Sequence, residues 1–225
     1  MGVNIDLTIL LPAYNEEKAI GPLLREIREE VHIPHKILVV DNASTDRTAQ
    51  ISQAEGAFVF PVPTKGKGNA VREAISQLDT PFVVMMNSDL TYPPKHVETM
   101  HLLLKHVAPV VIGSRSLVER GAMPFVNSVG NSMLSALASA LYGRHIWDLC
   151  SGRWGFRTEV LKSFSLTSVG FSLEADLFIC TVKGKHPWAQ IPIGYRARLD
   201  GDRPKLRVAD GLKIGSFLVQ RRFKK

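Results

Sequence analysis

Residues 5–31 of the chain read IDLTILLPAYNEEKAIGPLLREIREEV. The opening run, residues 5–12, is almost wholly apolar, as in a strand covered on both faces. From Asn15 the pattern changes, and Ile20, Leu23, Leu24, Ile27 and Val31 fall on one stripe of a helix. A buried strand followed at once by an amphipathic helix is the repeating unit of a parallel α/β sheet.

The unit recurs along the chain. Residues 36–40 predict a second strand ending at Asp41, with Ser44 and Asp46 as helix caps for a stretch to about Ala54. Residues 57–60 predict a third strand, and a Lys-Gly-Lys-Gly loop leads into a helix near 69–78. A fourth strand over 81–86 is followed by Pro93-Pro94, which opens a helix to about His106, and 110–113 makes a fifth. The second half is less regular: a loop around 116–124, helices over 127–142 and 173–182, and strands over 152–157 and 189–195. The expected fold is a single α/β domain with a mostly parallel sheet flanked by helices.

Composition bounds the class. With 225 residues, 45% apolar and 22% charged, the chain is ordinary globular material, long enough to bury a large core. Its longest weakly polar stretch, 133–142, is ten residues with two serines. A membrane span needs roughly 20 apolar residues, so no spanning helix is expected. The N-terminus has no basic start followed by an apolar run, which predicts no secretory leader. Cys150 and Cys180 lack metal-site spacing and read as reduced, buried thiols of a cytoplasmic protein.

Charge is uneven. Residues 185–225 hold eleven Lys and Arg against three Asp, a net of +8, which leaves residues 1–184 at −1. That points to one localised anionic partner rather than a basic protein that coats nucleic acid. The tail also lacks interleaved aromatics for stacking bases, so no nucleic-acid partner is expected.

Polar residues collect where the predicted strands end: Tyr14 to Glu17, Asp41-Asn42, Asn87 to Asp89, and Ser114-Arg115. In open α/β sheets that edge holds the ligand. Asn15, Ser44 and Asp46 also read as plain helix caps, whereas Asp41 and Asp89 follow apolar strands and have no obvious capping duty. No GxxxxGK[ST] and no GxGxxG after the first strand is present, nor HExxH, GxSxG or a kinase signature. The Lys65–Gly68 loop reads either as a phosphate cradle at a helix N-terminus or as a solvated basic turn. The seven histidines show no ligand spacing.

In order and spacing, the segments LPAYNEE (11–17), VVDNASTDRT (39–48), KGKGNAVREAI (65–75), MMNSDLTYPP (85–94), GSR (113–115), DLCSGRWGFR (148–157) and QIPIGYRAR (190–198) resemble one family. The chain is similar to inverting glycosyltransferases of the GT-A fold (family 2), and within them to polyprenyl-phosphate sugar synthases of the dolichol-phosphate mannose synthase kind. The resemblance implies a hexose moving from a nucleotide-sugar to a polyprenyl phosphate with the help of Mg²⁺ or Mn²⁺. It implies donor binding by Pro12, Tyr14, Glu16, Asp41, Lys67, Asn87, Ser88, Asp89, Arg198 and Lys205. Asp89 and Asn87 stand at the metal positions, Arg115, Asp148 and Ser151 at acceptor positions, and Asp89 and Arg115 at the reacting centre.

The chain departs from the family pattern in several places. Asn42 and Asn87 stand where acids are usual, Thr91 where some relatives have a glutamine ligand, and Arg153-Trp154 shifts an arginine by one position. Pro204 replaces a usual serine in a segment about two residues longer than in relatives. A phosphate acceptor is anionic at neutral pH and needs no base. A soluble or polysaccharide hydroxyl acceptor would need a carboxylate such as Glu174 or Asp176. A nucleotide-sugar-binding protein that has lost catalysis is the third reading.

The expected layout is a catalytic domain over 1–206 and a basic amphipathic helix over 207–225. Val208, Leu212, Val219 and Phe223 form the predicted apolar stripe, with Arg207, Asp210, Lys213 and Arg221 elsewhere on the wheel. The stripe suits either a lipid surface or the protein's own core. A polyprenyl substrate favours the first, and places the protein on the cytoplasmic face of a membrane.

Overall fold

The computed structural model describes residues 5–199 and 208–224. Its elements, in chain order, are β1 (Leu7–Ala13), α1 (Ile20–Glu30), β2 (His35–Asp41), α2 (Thr48–Ala54), β3 (Phe58–Pro61), α3 (Lys67–Ala74), β4 (Phe82–Met85), α4 (Val97–His106), β5 (Val110–Val118), α5 (Phe125–Tyr142), β6 (Trp154–Arg157), α6 (Thr158–Lys162), α7 (Leu173–Lys183), β7 (Trp188–Tyr195) and α8 (Val208–Phe223). The strands form one sheet in the order β3-β2-β1-β4-β6-β5-β7.

Alternation along the strands builds two cores. Leu7, Ile9 and Leu11 of β1, with Val39 and Val84, pack under α1 and α4 through Leu23, Leu24, Ile27, Met100 and Leu104. Leu10, Val40, Val83, Met85 and Ile112 face the other way, onto Val71 of α3, Leu177 and Phe178 of α7, and Ile214 and Leu218 of α8. Both faces are covered, which is why β1 reads as an unbroken apolar run.

All pairings are parallel except those of β6, which runs antiparallel to β4 and to β5. This reversal decides where the site lies. The carboxyl ends of β1, β2, β4 and β5 share one edge, and the amino end of β6 enters there, bringing residues 148–153 to the same place.

Several expectations need correction. The first helix begins at Ile20, not Asn15, which sits at φ 50°. Asn15 and Ser44 are not caps: Ser44 Oγ accepts from Asn15 N–H, and Asn15 Oδ1 accepts from Thr45 N–H. Asp46 does accept from Thr48 N–H, and its other oxygen accepts from Glu17 N–H, so the two loops are stitched together. Residues 116–118 belong to β5 rather than to a loop, and α6 was not foreseen.

The described part of the expected stripe on the C-terminal helix faces outwards, away from the protein's own core. Ile214 and Leu218 are its buried side chains, with Phe217 against the same core, whereas Leu212, Val219 and Phe223 are exposed. Arg221 points inward because the buried carboxylate of Asp176 on α7 receives it at 3.2 Å. A charge with a partner can occupy a face that a solvated charge cannot.

Candidate active site

A cleft of about 1050 Å³ runs along the carboxyl edge of the sheet. Pro12, Tyr14, Glu16, Lys67, Asn87, Ser88, Asp89, Arg115 and Arg198 all line it, so most of the residues singled out from the sequence meet in one place.

At one end, cations meet hard oxygen atoms. Lys67 Nζ donates to Asn87 Oδ1 at 2.7 Å and pairs with Glu174 Oε1 at 2.5 Å. Arg198 pairs with Asp89 Oδ2, while Asp89 Oδ1 accepts from Thr91 Oγ1 at 2.6 Å. Asp89 is 4% exposed and aims between these partners. Lys65 donates to the Tyr14 hydroxyl at 3.2 Å and lies over its ring. Ser88 Oγ donates to the Pro12 carbonyl, tying the ends of β4 and β1 together.

Asn42 explains one departure. Its amide donates to the Thr64 carbonyl at 2.8 Å and accepts from Gly66 N–H at 2.7 Å. A carboxylate could make only the second bond. The amide therefore braces the Lys65–Gly68 loop, which packs so closely on residues 168–169 that a Cβ at Gly66 would lie 2.2 Å from the Val169 carbonyl oxygen.

At the other end stands Arg115. Its Nε and Nη2 donate in a fork to Asp148 at 2.8 and 2.7 Å, and its backbone N–H donates to Asp148 Oδ2 at 2.9 Å. The guanidinium lies 5.3 Å from the centre of the Tyr195 ring. Burial works against this cation, but Tyr92 and Asp148 beside it more than offset that, and its pKa lies above the ordinary arginine range. Arg115 is thus a fixed, permanent positive charge with donors left over for an anion.

Residues of α5 and α8 also line the cleft. Among them Val126, Met133 and Leu212 form an apolar margin and are 61%, 69% and 78% exposed. Phe125 beside them is 81% exposed.

Some expected residues stand behind the wall. Asp148 holds the Arg115 guanidinium and is not among the residues that line the cleft. Ser151 is fully buried, and its hydroxyl accepts from Arg153 N–H, so it is a packing residue rather than an acceptor contact. Asp41 is 9% exposed at the end of β2, and one of its buried carboxylate oxygens has no hydrogen-bond partner among the described residues. Lys205 lies outside the described residues. The shifted Arg153 is fully buried, donates to the carbonyls of Tyr92 and Pro93, and has its pKa lowered to about 10 by burial.

Sequence reasoning missed Asn131, which donates to Asp148 at 2.9 Å, and Cys150 on the cleft wall. Burial pushes the Cys150 thiol up to about 12, so it is no nucleophile at neutral pH. Of the two carboxylates weighed as bases, Glu174 lines the cleft but is held by Lys67. Asp176 is fully buried and turned towards Arg221 and the 167–168 backbone.

The Asp89 carboxylate and the Asn87 amide oxygen are the hard donors that Mg²⁺ and Mn²⁺ accept. Among the described residues no three His, Cys, Asp or Glu side chains enclose a metal. The two side chains have the oxygen chemistry such a cation takes, and here their oxygens accept from Lys67, Thr91 and Arg198.

Known proteins share this arrangement of sequence and fold. Residues 8–164 match the glycosyl transferase family 2 model. A dolichyl-phosphate hexose transferase of Haloferax volcanii is 33% identical over 215 residues, which cover 96% of this chain and 93% of that protein. The dolichol-phosphate mannosyltransferase of Pyrococcus furiosus is 28% identical over 210 residues, covering 87% and 58%. Glucosyl-3-phosphoglycerate synthase from Mycobacterium tuberculosis, solved in complex with Mn²⁺ and UDP-glucose, superimposes with a TM-score of 0.74 at 25% identity, covering 97% of this chain and 79% of that one. The mostly parallel sheet flanked by helices is thus that of the GT-A fold, and the chain belongs to glycosyltransferase family 2.

Proposed function

We propose that the chain transfers a hexose, with inversion, from a nucleotide-sugar to a polyprenyl phosphate at a membrane surface. The observation that carries this reading is the lining of a single cleft. Asp89 with its cations, the locked Arg115 and the exposed apolar side chains of α5 and α8 all border the same space. A soluble acceptor has no use for exposed Val126, Met133 and Leu212, whereas an isoprenoid chain has. The names of the Haloferax and Pyrococcus relatives support the same acceptor class.

The chemistry follows from the residues. A phosphate oxygen of the acceptor attacks the anomeric carbon, forming a C–O bond as the bond to the donor's β-phosphate breaks. That oxygen is already anionic, so no side chain removes a proton. Arg115, locked by Asp148, positions it in line. Lys67 and Arg198 bind the departing diphosphate, and burial strengthens their effect on its growing charge. A divalent cation held by Asp89 and Asn87 would neutralise the same charge. Pro12, Tyr14, Glu16 and Asp41 lie on the side where the nucleoside is expected.

The test is direct. Labelled GDP-mannose or UDP-glucose, Mn²⁺ and dolichyl phosphate yield a solvent-extractable sugar-lipid, and Asp89→Ala abolishes it with the fold intact by circular dichroism. No product from any common donor, or full activity in Asp89→Ala, contradicts the reading.

A further inference from the structure

Arg221 lies far along the C-terminal helix, yet a continuous set of bonds leads from it to the donor end of the cleft. Arg221 Nη2 meets Asp176 Oδ1 at 3.2 Å, and that carboxylate is fully buried. Its other oxygen accepts from Thr167 N–H at 2.5 Å and Ser168 N–H at 2.8 Å. Asp176 therefore clamps a short strap of chain, residues 167–169, and Arg221 supplies its countercharge.

The strap in turn shapes the Lys65–Gly68 loop. Val169 O accepts from Asn69 N–H at 3.2 Å, in the first turn of α3. Ser168 O accepts from Arg72 Nη1 at 3.5 Å. Contact is so close that a Cβ at Gly68 would lie 2.3 Å from the Ser168 carbonyl oxygen. Lys67, between the two tight glycines, reaches into the cleft to Asn87 and Glu174. Glu174 is on the same helix as Asp176, two residues earlier, so α7 fixes the ammonium from the cleft side and the strap from behind.

We propose that Arg221 is a positioning residue for the donor diphosphate: through Asp176 and the 167–169 strap it sets the place of the Lys67 ammonium. This rests on the reading of Lys67 as a diphosphate ligand. Without its cation, Asp176 is a buried charge lacking compensation, a state relieved by taking up a proton or by moving. Either response weakens the two backbone bonds that hold the strap. The loss then appears where the strap ends, at the phosphates, and not at the nucleoside.

The test compares the full chain with its Arg221→Met, Arg221→Lys and Lys67→Met variants. Titration calorimetry measures UDP and GDP, each against its own nucleoside. Arg221→Met is expected to weaken the diphosphate by about tenfold while leaving the nucleoside within about twofold, and Arg221→Lys to restore most of the loss. Amide exchange at Ser168 and Asn69, measured against core amides of β1, quickens in Arg221→Met and less in Arg221→Lys; this readout needs no ligand, and Arg221→Lys carries the test if the methionine variant folds poorly. Equal weakening of nucleoside and diphosphate, or unchanged exchange at both amides, overturns the relay. If Lys67→Met alone weakens the diphosphate, the relay falls and the donor assignment stands. If neither variant does, both fall.

Discussion

At Arg115 the fork to Asp148 matters more than the charge. Both groups are nearly buried, and the planar guanidinium lies against Tyr195 while its edge donates twice to one carboxylate. Lysine keeps the charge but not the plane. Arg115→Lys is expected to raise KM for the lipid phosphate by about tenfold or more and to leave KM for the nucleotide-sugar within about twofold. Steady-state kinetics in both substrates check this, and an effect confined to the donor contradicts it. His96 carries a second expectation. Its Nε2 accepts from Gly194 N–H, and burial, with Arg153 and Lys95 nearby, lowers its pKa from 6.5 to about 4. The unfolded chain takes up this proton near pH 6.5 and the folded protein only near 4, so protonation favours unfolding between them. The stabilising contribution is complete above pH 6.5 and is lost as pH falls towards 4. His96→Gln keeps an acceptor without titrating, and urea melts across that window should show a flatter pH dependence. Identical slopes would remove His96 from the account. Neither partner of these residues was visible in sequence, because Arg115–Asp148 and His96–Gly194 are contacts between distant segments. Asn42 teaches the same lesson, since an apparent loss of an acid is the gain of a donor for Thr64.

Among the elements, α5 and α8 were seen in sequence but their faces were not. α5 read as an Ala, Leu and Ser helix whose serines only argued against a membrane span. In the structure Asn131, Ser135 and Ser139, spaced by four, accept from the backbone N–H groups of Cys150, Leu149 and Ile146. That polar stripe on an apolar helix was the signal for the segment holding Asp148. The sequence set Arg221 off the apolar stripe of α8 but did not show its partner, Asp176, which lies inside on α7. The two faces of α8 now predict opposite outcomes. Leu218 is fully buried, and Leu218→Ala is expected to cost about 2–4 kcal/mol in chemical denaturation. Leu212 is 78% exposed, and Leu212→Ser should change stability by less than about 0.5 kcal/mol. The serine variant should instead sediment less with anionic vesicles. Equal stability losses in the two variants contradict this division of faces.

For the molecule as a whole, the order of strands and helices was legible because central strands such as β1 are buried on both faces and helices such as α1 carry one apolar stripe. The direction of β6 was not, since a four-residue strand has the same period either way. That reversal is what brings Asp148 opposite Arg115. The +8 tail was legible as a number but not as a surface: Arg196 pairs with Glu26, Arg198 with Asp89 and Arg221 with Asp176, so part of that charge is internal structure. The central claim is that one cleft serves both a phosphate and an apolar chain. Its most direct test is kcat/KM for dolichyl phosphate against that for 3-phosphoglycerate, with the same nucleotide-sugar and Mn²⁺. The account predicts a preference for the lipid of at least about a hundredfold, since many CH₂ groups at about 0.8 kcal/mol each meet the apolar margin of the cleft. Equal efficiency with the two acceptors, or a preference for the soluble one, would contradict it.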